Sequence, residues 1–520
     1  MKAIKYILSA VVLSLGLTAC VGDLTIKEVL DPNLNTVDKA LTTEQDFTNF
    51  LAGIYTGFST SGFKGPNDDP SISGLDGGAS QYIRGLYHHM ELTTDESVCN
   101  WNDQTIKNFH ALNWTTDDTF IYAFYSRIYF QISLCNEFIR QINATSVAVS
   151  DKDEMIAEAR TLRAYCYMHA IDCFGKGPFV DENSIIGVSP EEISRTDLYA
   201  WLETELTDII NNSALPAARS PKAYGRIDKG AAMMILAKLY LNAEVYTGTA
   251  QWAKCANVLN SIAAAGYSLH PSYKALFCAD NDTCTDEIIW AIEEDGINTQ
   301  SYGATNYIIF ASTGDGIEAS SVGISSGWAG LRCTDTFYNL FEDADARKLF
   351  YSTDDGMHSG PITDVGDWAK GGHPAIKFTN VKADGGAASA VGFVDTDFPV
   401  FRYADVLLMY AELGLHSDSG ISKAQGLSYL NQVRERAGVS ALTDYDKVTI
   451  RDERGRELYQ ECWRRSDLIR LGYFTGSEYV WDWKGGDEKG TSVADYRAIF
   501  PIPASDLNAN GNLTQHEAYK

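Results

Sequence analysis

The stretch IDKGAAMMILAKLYLNAEVYTGTAQWAKCANVLNSIAAAG, residues 227–266, cannot bury its own apolar surface, and that constrains everything else in the 520-residue chain. From Ile227 to Val245 it is apolar nearly all round, with small residues at Gly230, Ala231 and Ala232, the pattern of a helix enclosed by neighbours. Thr249 is placed to cap a second helix. On it Trp252, Cys255, Ala256, Leu259, Ile262 and Ala263 share one face at three- and four-residue spacing. Gly266 supplies the left-handed residue that ends it. Paired helices with a bulky aromatic opening the second and small residues at the crossing are the unit of tetratricopeptide-type repeats. Such pairs are stable only when stacked on others.

The chain offers the further helices that this requires. Thr42 and Gln45 form a capping box for a helix running to about Phe58. The spacing also predicts helices over Asp118–Ile142, Glu154–Phe174, Arg195–Asn211, Ala404–Leu415, Lys423–Ala437 and Val448–Leu471. Residues 59–80 read as loop, 288–292 as a strand, and 296–400 as mostly Gly- and Ser-rich with scattered aromatics. The expected fold is mainly α: a tetratricopeptide-like helical scaffold with long irregular loops and a few short strands. Loops of that length inside a compact protein carry function or are disordered.

The N-terminus adds an address. Lys2 and Lys5 precede an apolar run from Ile7 to Leu17, too short for a membrane span, and Leu17-Thr18-Ala19-Cys20 follows. A small residue directly before Cys resembles the bacterial lipobox, which makes Cys20 the lipid anchor. The resulting division is 1–19 signal peptide, 20–35 tether and 36–520 a single helical domain. A formal charge of −27 argues against nucleic acid and anionic headgroups as partners. The cysteines after Cys20 show no metal spacing such as Cys-x-x-Cys. Cys278 and Cys284 flank a polar loop and are the pair open to bridging.

Several motifs together carry a resemblance. They are Glu158, Arg160, Arg163 and Tyr165 running to Phe174, Gly175 and Pro178; the helix pair of 227–266; Phe401-Arg402-Tyr403 through Glu412; and Leu430, Asn431, Val433, Arg434, Arg436 and Gly438. Glu453-Arg454-Gly455-Arg456-Glu457-Leu458, Asp467-Leu468-Ile469-Arg470, Phe500-Pro501-Ile502-Pro503 and Asn512-Leu513-Thr514-Gln515 complete them. In these the chain resembles the SusD/RagB family of outer-membrane nutrient-binding lipoproteins. The resemblance implies a bacterial cell-surface lipoprotein that binds oligosaccharide and hands it to a SusC-like TonB-dependent transporter. It implies no catalysis and no cofactor. Peptide, the RagB-type ligand, is the main rival, and a protein scaffold is a third reading. Cys462-Trp463-Arg464 departs from the family's frequent Gly-His-Arg, and His516-Glu517 from its Asn-Pro.

Arg160, Arg163, Glu453, Arg456, Glu457, Asp467 and Arg470 read as helix-locking ion pairs rather than catalysts, because a helical array must pair the charges it buries. Gly323-Ile-Ser325-Ser-Gly327 matches a nucleophile elbow in letters but lacks the strand before it and the helix after it. Asp280-Asn-Asp282 fails the EF-hand pattern for want of its glycine, and His88-His89 has no partner motif for a metal, so no metal site is expected. What remains is binding. Sugars present C–H faces ringed by hydroxyls, and so ask for aromatic platforms beside amides and carboxylates. Trp101 with Asn102 and Asp103 has that composition, and the resemblance adds Tyr302, Tyr307 and Trp328 on the later loops.

Overall fold

The computed structural model describes residues 40–62, 64–67, 69–220, 224–351 and 357–520, so the signal, Cys20 and the tether lie outside the described residues. Two compact units are distinguished, residues 1–48 with 146–150, and 49–145 with 151–520. In the first, the backbone amides of Thr42 and Thr43 donate to Asp46 Oδ2 at 2.9 and 2.8 Å, and Ser150 N donates to Glu44 Oε1 at 2.7 Å. The cap of helix α1 (Glu44–Ser59) is therefore built on Thr43 and Asp46, one residue beyond the predicted box.

The second unit is a chain of packed helices. In order they are α2 (Tyr82–Met90), α3 (Gln104–His110), α4 (Thr119–Ala144), α5 (Lys152–Cys173), α6 (Arg195–Asn212), α7 (Lys229–Leu241), α8 (Ala243–Thr247) and α9 (Trp252–Ala264). There follow α10 (Ala304–Ala311), α11 (Asp335–Tyr338), α12 (Tyr403–Leu413), α13 (Lys423–Arg436), α14 (Lys447–Leu458), α15 (Arg464–Arg470) and α16 (Ala504–Ala509). From α4 to α7 each helix packs on the next, then α7 on α9, α9 on α12, and α12 on both α13 and α14. The organising pair is α7 and α9. Gly230 through Leu241 are buried all round α7, and Trp252, Cys255, Ala256, Leu259 and Ile262 are the buried face of α9. Gly266 has φ +85° and ends the pair as its sequence predicts.

Three two-stranded antiparallel pairs stitch distant segments together: β1 (Val98–Cys99) with β5 (Leu331–Arg332), β2 (Gly177–Pro178) with β3 (Glu192–Ile193), and β4 (Ile288–Ile292) with β6 (Phe398–Arg402).

Four expectations are corrected. Thr249 does not cap α9, which begins after Gln251 without a side-chain cap, because α8 and left-handed Gly248 prolong the first helix. Cys278 and Cys284 are free thiols; Cys278 Sγ points to Lys274 O at 3.3 Å. Residues 296–400 are not only loop, since α10 and α11 lie there. The helix predicted over Val448–Leu471 is broken into α14 and α15 by Gln460 and Cys462 in the left-handed region, at φ 61° and 65°.

That break is held by charge. Left-handed backbone costs a side-chain-bearing residue about 1–2 kcal/mol. Here Glu461 accepts from Arg402 Nε at 2.7 Å and Lys377 Nζ at 2.6 Å, and Arg464 clasps Asp95 with Nε and Nη2 at 2.8 and 2.6 Å. Cys462 stands where the resembled family often has Gly, the residue that adopts this backbone without strain.

The motif charges are all paired. Arg160 and Arg163 hold Glu205 of α6, and Arg470 holds Glu412 at 2.6 Å and Asp467 at 2.8 Å. Around Glu457, which is 0% exposed, stand Arg347, Arg402 and Arg436, with Glu453 and Glu287 completing the cluster. Burial raises the Glu457 carboxyl, but the three guanidiniums outweigh it and pull the group down to about 2.

Candidate functional site

A loop face is assembled by the β1–β5 pair. Val98 opposes Arg332 and Cys99 opposes Leu331, and Asn100 N then donates to Gly330 O at 3.1 Å. This register lays Trp101 on Gly330, where any Cβ would stand 2.8 Å from the indole, so the glycine is required for the ring to seat. Trp101 Nε1 donates to Trp328 O at 3.2 Å. The segment 328–330 is itself fixed to the end of α10: Trp328 N, Ala329 N and Gly330 N donate to the carbonyls of Phe310, Thr313 and Ala311 at 2.7, 2.8 and 2.7 Å.

Tyr302 arrives from the start of α10. Gln81 clamps that helix to α2, its Oε1 accepting from Ala304 N at 2.9 Å and Arg84 N at 2.7 Å. Tyr302 lies 6.0 Å from Trp328, which lies 6.4 Å from Trp101, ring centre to ring centre. All three rings are half-buried, so chain segments some two hundred residues apart in sequence form one aromatic strip.

The other predicted residues divide. Asn102 and Asp103 are exposed at the strip's edge; Asn102 Oδ1 accepts from Lys107 Nζ at 2.6 Å, and Asp103, at the N-cap of α3, makes no side-chain capping bond. Tyr307 is corrected: it is 0% exposed, because α10 turns it inward against His88, Tyr87 and the underside of Trp101. It supports the strip and presents no face to a ligand.

Sequence reasoning missed Arg84. Its guanidinium carbon lies 4.4 Å from the Tyr307 ring centre and 5.5 Å from that of Trp101, and Nη1 donates to Tyr302 O at 3.0 Å. Among the described residues it has no carboxylate partner, and its Nε is buried without a hydrogen-bond acceptor, so its charge is held against the aromatic rings. No helix is predicted there from the sequence, although the spacing of Tyr82, Ile83, Leu86, Tyr87 and Met90 is the signal that would have marked α2.

The catalytic-looking motifs sit elsewhere and are otherwise engaged. Ser325 is exposed after a 3₁₀ turn, with neither strand nor helix flanking it as an elbow requires. His88 and His89 are both buried on α2. His88 stacks on Phe120 at 4.0 Å, and His89 Nδ1 lies 2.7 Å from Gly85 O. Burial holds His89 down at about 3, so it is neutral. Among the described residues no group of three or more His, Cys, Asp or Glu side chains could hold a metal ion, and no helix is long and apolar enough to cross a membrane.

A stacked helical array whose loops converge on an aromatic strip defines the class: a helical-repeat scaffold with a loop-borne aromatic face. More particularly, the chain belongs to the SusD family. The SusD family model matches residues 357–519, and a second, described as starch-binding associating with outer membrane, matches 77–241. The starch-binding protein SusD of Bacteroides thetaiotaomicron is 32% identical over 100% of both chains. SusD-like protein P25 of Formosa agariphila is 27% identical over 70% of this chain and 72% of its own. Among solved structures, surface glycan-binding protein A from Bacteroides thetaiotaomicron, in complex with laminarihexaose, aligns with TM-score 0.69 at 18% identity, covering 91% of this chain and 99% of that one. A SusD superfamily protein from Parabacteroides distasonis gives 0.69 at 20% identity over 92% and 100%. At these identities the structures speak for the fold.

Proposed function

We propose that this protein captures a neutral oligosaccharide on the strip of Trp101, Tyr302 and Trp328 and passes it, uncleaved, to a SusC-like TonB-dependent transporter. The observation that carries this is the convergence of three half-buried rings from three separate segments, edged by Asn102, Asp103 and Arg84. Flat rings take the C–H faces of pyranoses, while amide, carboxylate and guanidinium groups exchange hydrogen bonds with the ring of hydroxyls. The full-length relative named as starch-binding makes α-glucan the first ligand to try. Residues 1–19 are the signal, Cys20 carries the acyl chains, 20–35 is the tether, and 36–520 is the outward-facing domain at the outer membrane. Multiple acyl chains are needed because one alone gives marginal anchoring.

The test is calorimetric titration of the mature protein with maltooligosaccharides, other glycans and peptides. Saturable binding of a glycan that is recovered intact supports the reading; peptide binding alone, or released reducing ends that vanish in a carboxylate variant, overturns it. Cys20→Ala is expected to give a folded protein that no longer partitions with membranes after a salt wash.

A further inference from the structure

A second cleft, of about 380 Å³, opens on the outward stripe of α4 and shares no residue with the aromatic strip. Tyr122, Ser126 and Tyr129 fall at helical spacing along that stripe and are half-buried, whereas the opposite face of α4 is buried. Pro178, Pro190 and Asp506 of α16 complete the lining. The volume lies in the range of about 300–1,000 Å³ typical of small-ligand sites.

Its chemistry is selective. Asp506 lines the cleft and is held by the hydroxyl of Tyr125, which donates to Oδ2 at 2.5 Å, so that one carboxylate oxygen is engaged and the other keeps its capacity to accept. Tyr125 and Tyr129 pack at 4.7 Å, and a Cβ at Gly177 would stand 2.3 Å from the Tyr129 hydroxyl, so the β2 backbone is drawn tightly against the ring. The lining carries one carboxylate and no Lys or Arg. That disfavours sulfated or uronic sugars, whose charge would go unpaired beside Asp506. An apolar extended peptide would leave the hydroxyls of Tyr122, Ser126 and Ser505 without partners, whereas a pyranose offers both a C–H face to Tyr122 and Tyr129 and hydroxyls to the carboxylate.

We propose that this cleft is a second saccharide subsite, taking one or two neutral pyranose units from a glycan. It gives the domain two points of contact with a long chain. Even a weak second contact raises the apparent affinity for polymer over short oligomer.

The experiment is saturation-transfer NMR on the full chain carrying Trp101→Ala, Tyr302→Ala and Trp328→Ala, so that all three rings of the strip are gone whether or not it binds sugar. Maltotriose, cellotriose, laminaritriose and a Pro-rich peptide serve as probes. At least one trisaccharide is expected to give a saturable signal. Ser126→Trp, which fills the cleft from an outward position without removing packed atoms, should abolish it, and Tyr122→Ala should weaken it about 5-fold or more. Melting temperatures of both variants report that the fold is intact. No saturable saccharide signal, a signal that Ser126→Trp leaves unchanged, or binding of the peptide alone overturns the proposal.

Discussion

Two regions of this molecule are built from the residue types that most often mark function, and they use them in opposite ways. Around Glu457 the charges are buried or half-buried and each arginine has a carboxylate partner: Arg347, Arg402 and Arg436 converge on one carboxylate, and Arg434 and Arg456 on Glu453 at 2.9 and 2.6 Å. At the loop face, Trp101, Tyr302 and Trp328 leave part of each ring uncovered, and Arg84 has no carboxylate among the described residues. The first region is complete in itself and locks α13, α14 and β6 together. The second leaves its rings partly uncovered, which is the contrast that the proposed binding role rests on.

The largest effect should follow from breaking the first region. Glu457→Ala takes one carboxylate from three guanidiniums at once, leaving Arg347 to Asp345 and Glu453, Arg402 to Glu287 and Glu461, and Arg436 to Glu287 alone, and removing one partner of a buried pair costs about 3–5 kcal/mol. Urea unfolding should show a loss of that size or failure to fold. A loss below about 1 kcal/mol would mean that the cluster is solvated and not a lock.

Truncating the second region should act on binding instead. Tyr302→Ala is expected to weaken glycan affinity by about 1–3 kcal/mol, or about 5- to 150-fold, while its unfolding midpoint stays near wild type. A drop in midpoint with unchanged affinity would return Tyr302 to the core.

Acid separates the regions in a third way. Glu453 and Glu457 are raised by burial but pulled lower still by their arginines, to about 2 against 4.5 when unfolded. Their stabilisation is present above pH 4.5 and is lost as pH falls toward 2. Glu91 has the opposite sign: burial raises it to about 7 against the lowering pull of its hydrogen bond with Glu96, so its contribution is present below 4.5 and disappears as pH rises through 7. Stability should therefore peak between these limits, and Glu91→Gln should lessen the alkaline decline, of which Asp397, also raised to about 7 by burial, keeps a share. A pH profile of unfolding midpoints that is flat across both limbs would contradict the buried-charge account.

The smallest effects are expected at the loop edge and at the false motif. Asn102→Ala removes neutral hydrogen-bonding capacity worth about 0.5–1.5 kcal/mol, read as a few-fold loss of glycan affinity. Ser325→Ala should change neither affinity nor stability, since its side chain is exposed and has no general base placed for it by an elbow.

Much of this division was legible in the sequence. The helix-locking charges follow from the rule that a stacked array must pair what it buries, and the α7–α9 pair from apolar spacing. The strip was legible only in composition. Trp101 beside Asn102 and Asp103 resists helix, but nothing local says that Gly330 must be bare to receive the ring or that Tyr307 turns inward while Tyr302 turns out. Both depend on the β1–β5 register and on the Gln81 clamp, contacts across more than two hundred residues. Helix ends failed where tertiary contacts overrode spacing, most clearly at Gln460 and Cys462, where Glu461 and Arg464 bind buried partners and force the left-handed break.

Trp101 is the sharpest test, because it touches both regimes: an uncovered face, and an edge bonded to Trp328 and seated on Gly330. Calorimetric titration of Trp101→Ala with the preferred oligosaccharide, beside its thermal midpoint, reads both at once. The account predicts an affinity loss of about 5- to 150-fold with a midpoint close to wild type. A midpoint several degrees lower with affinity unchanged would contradict it.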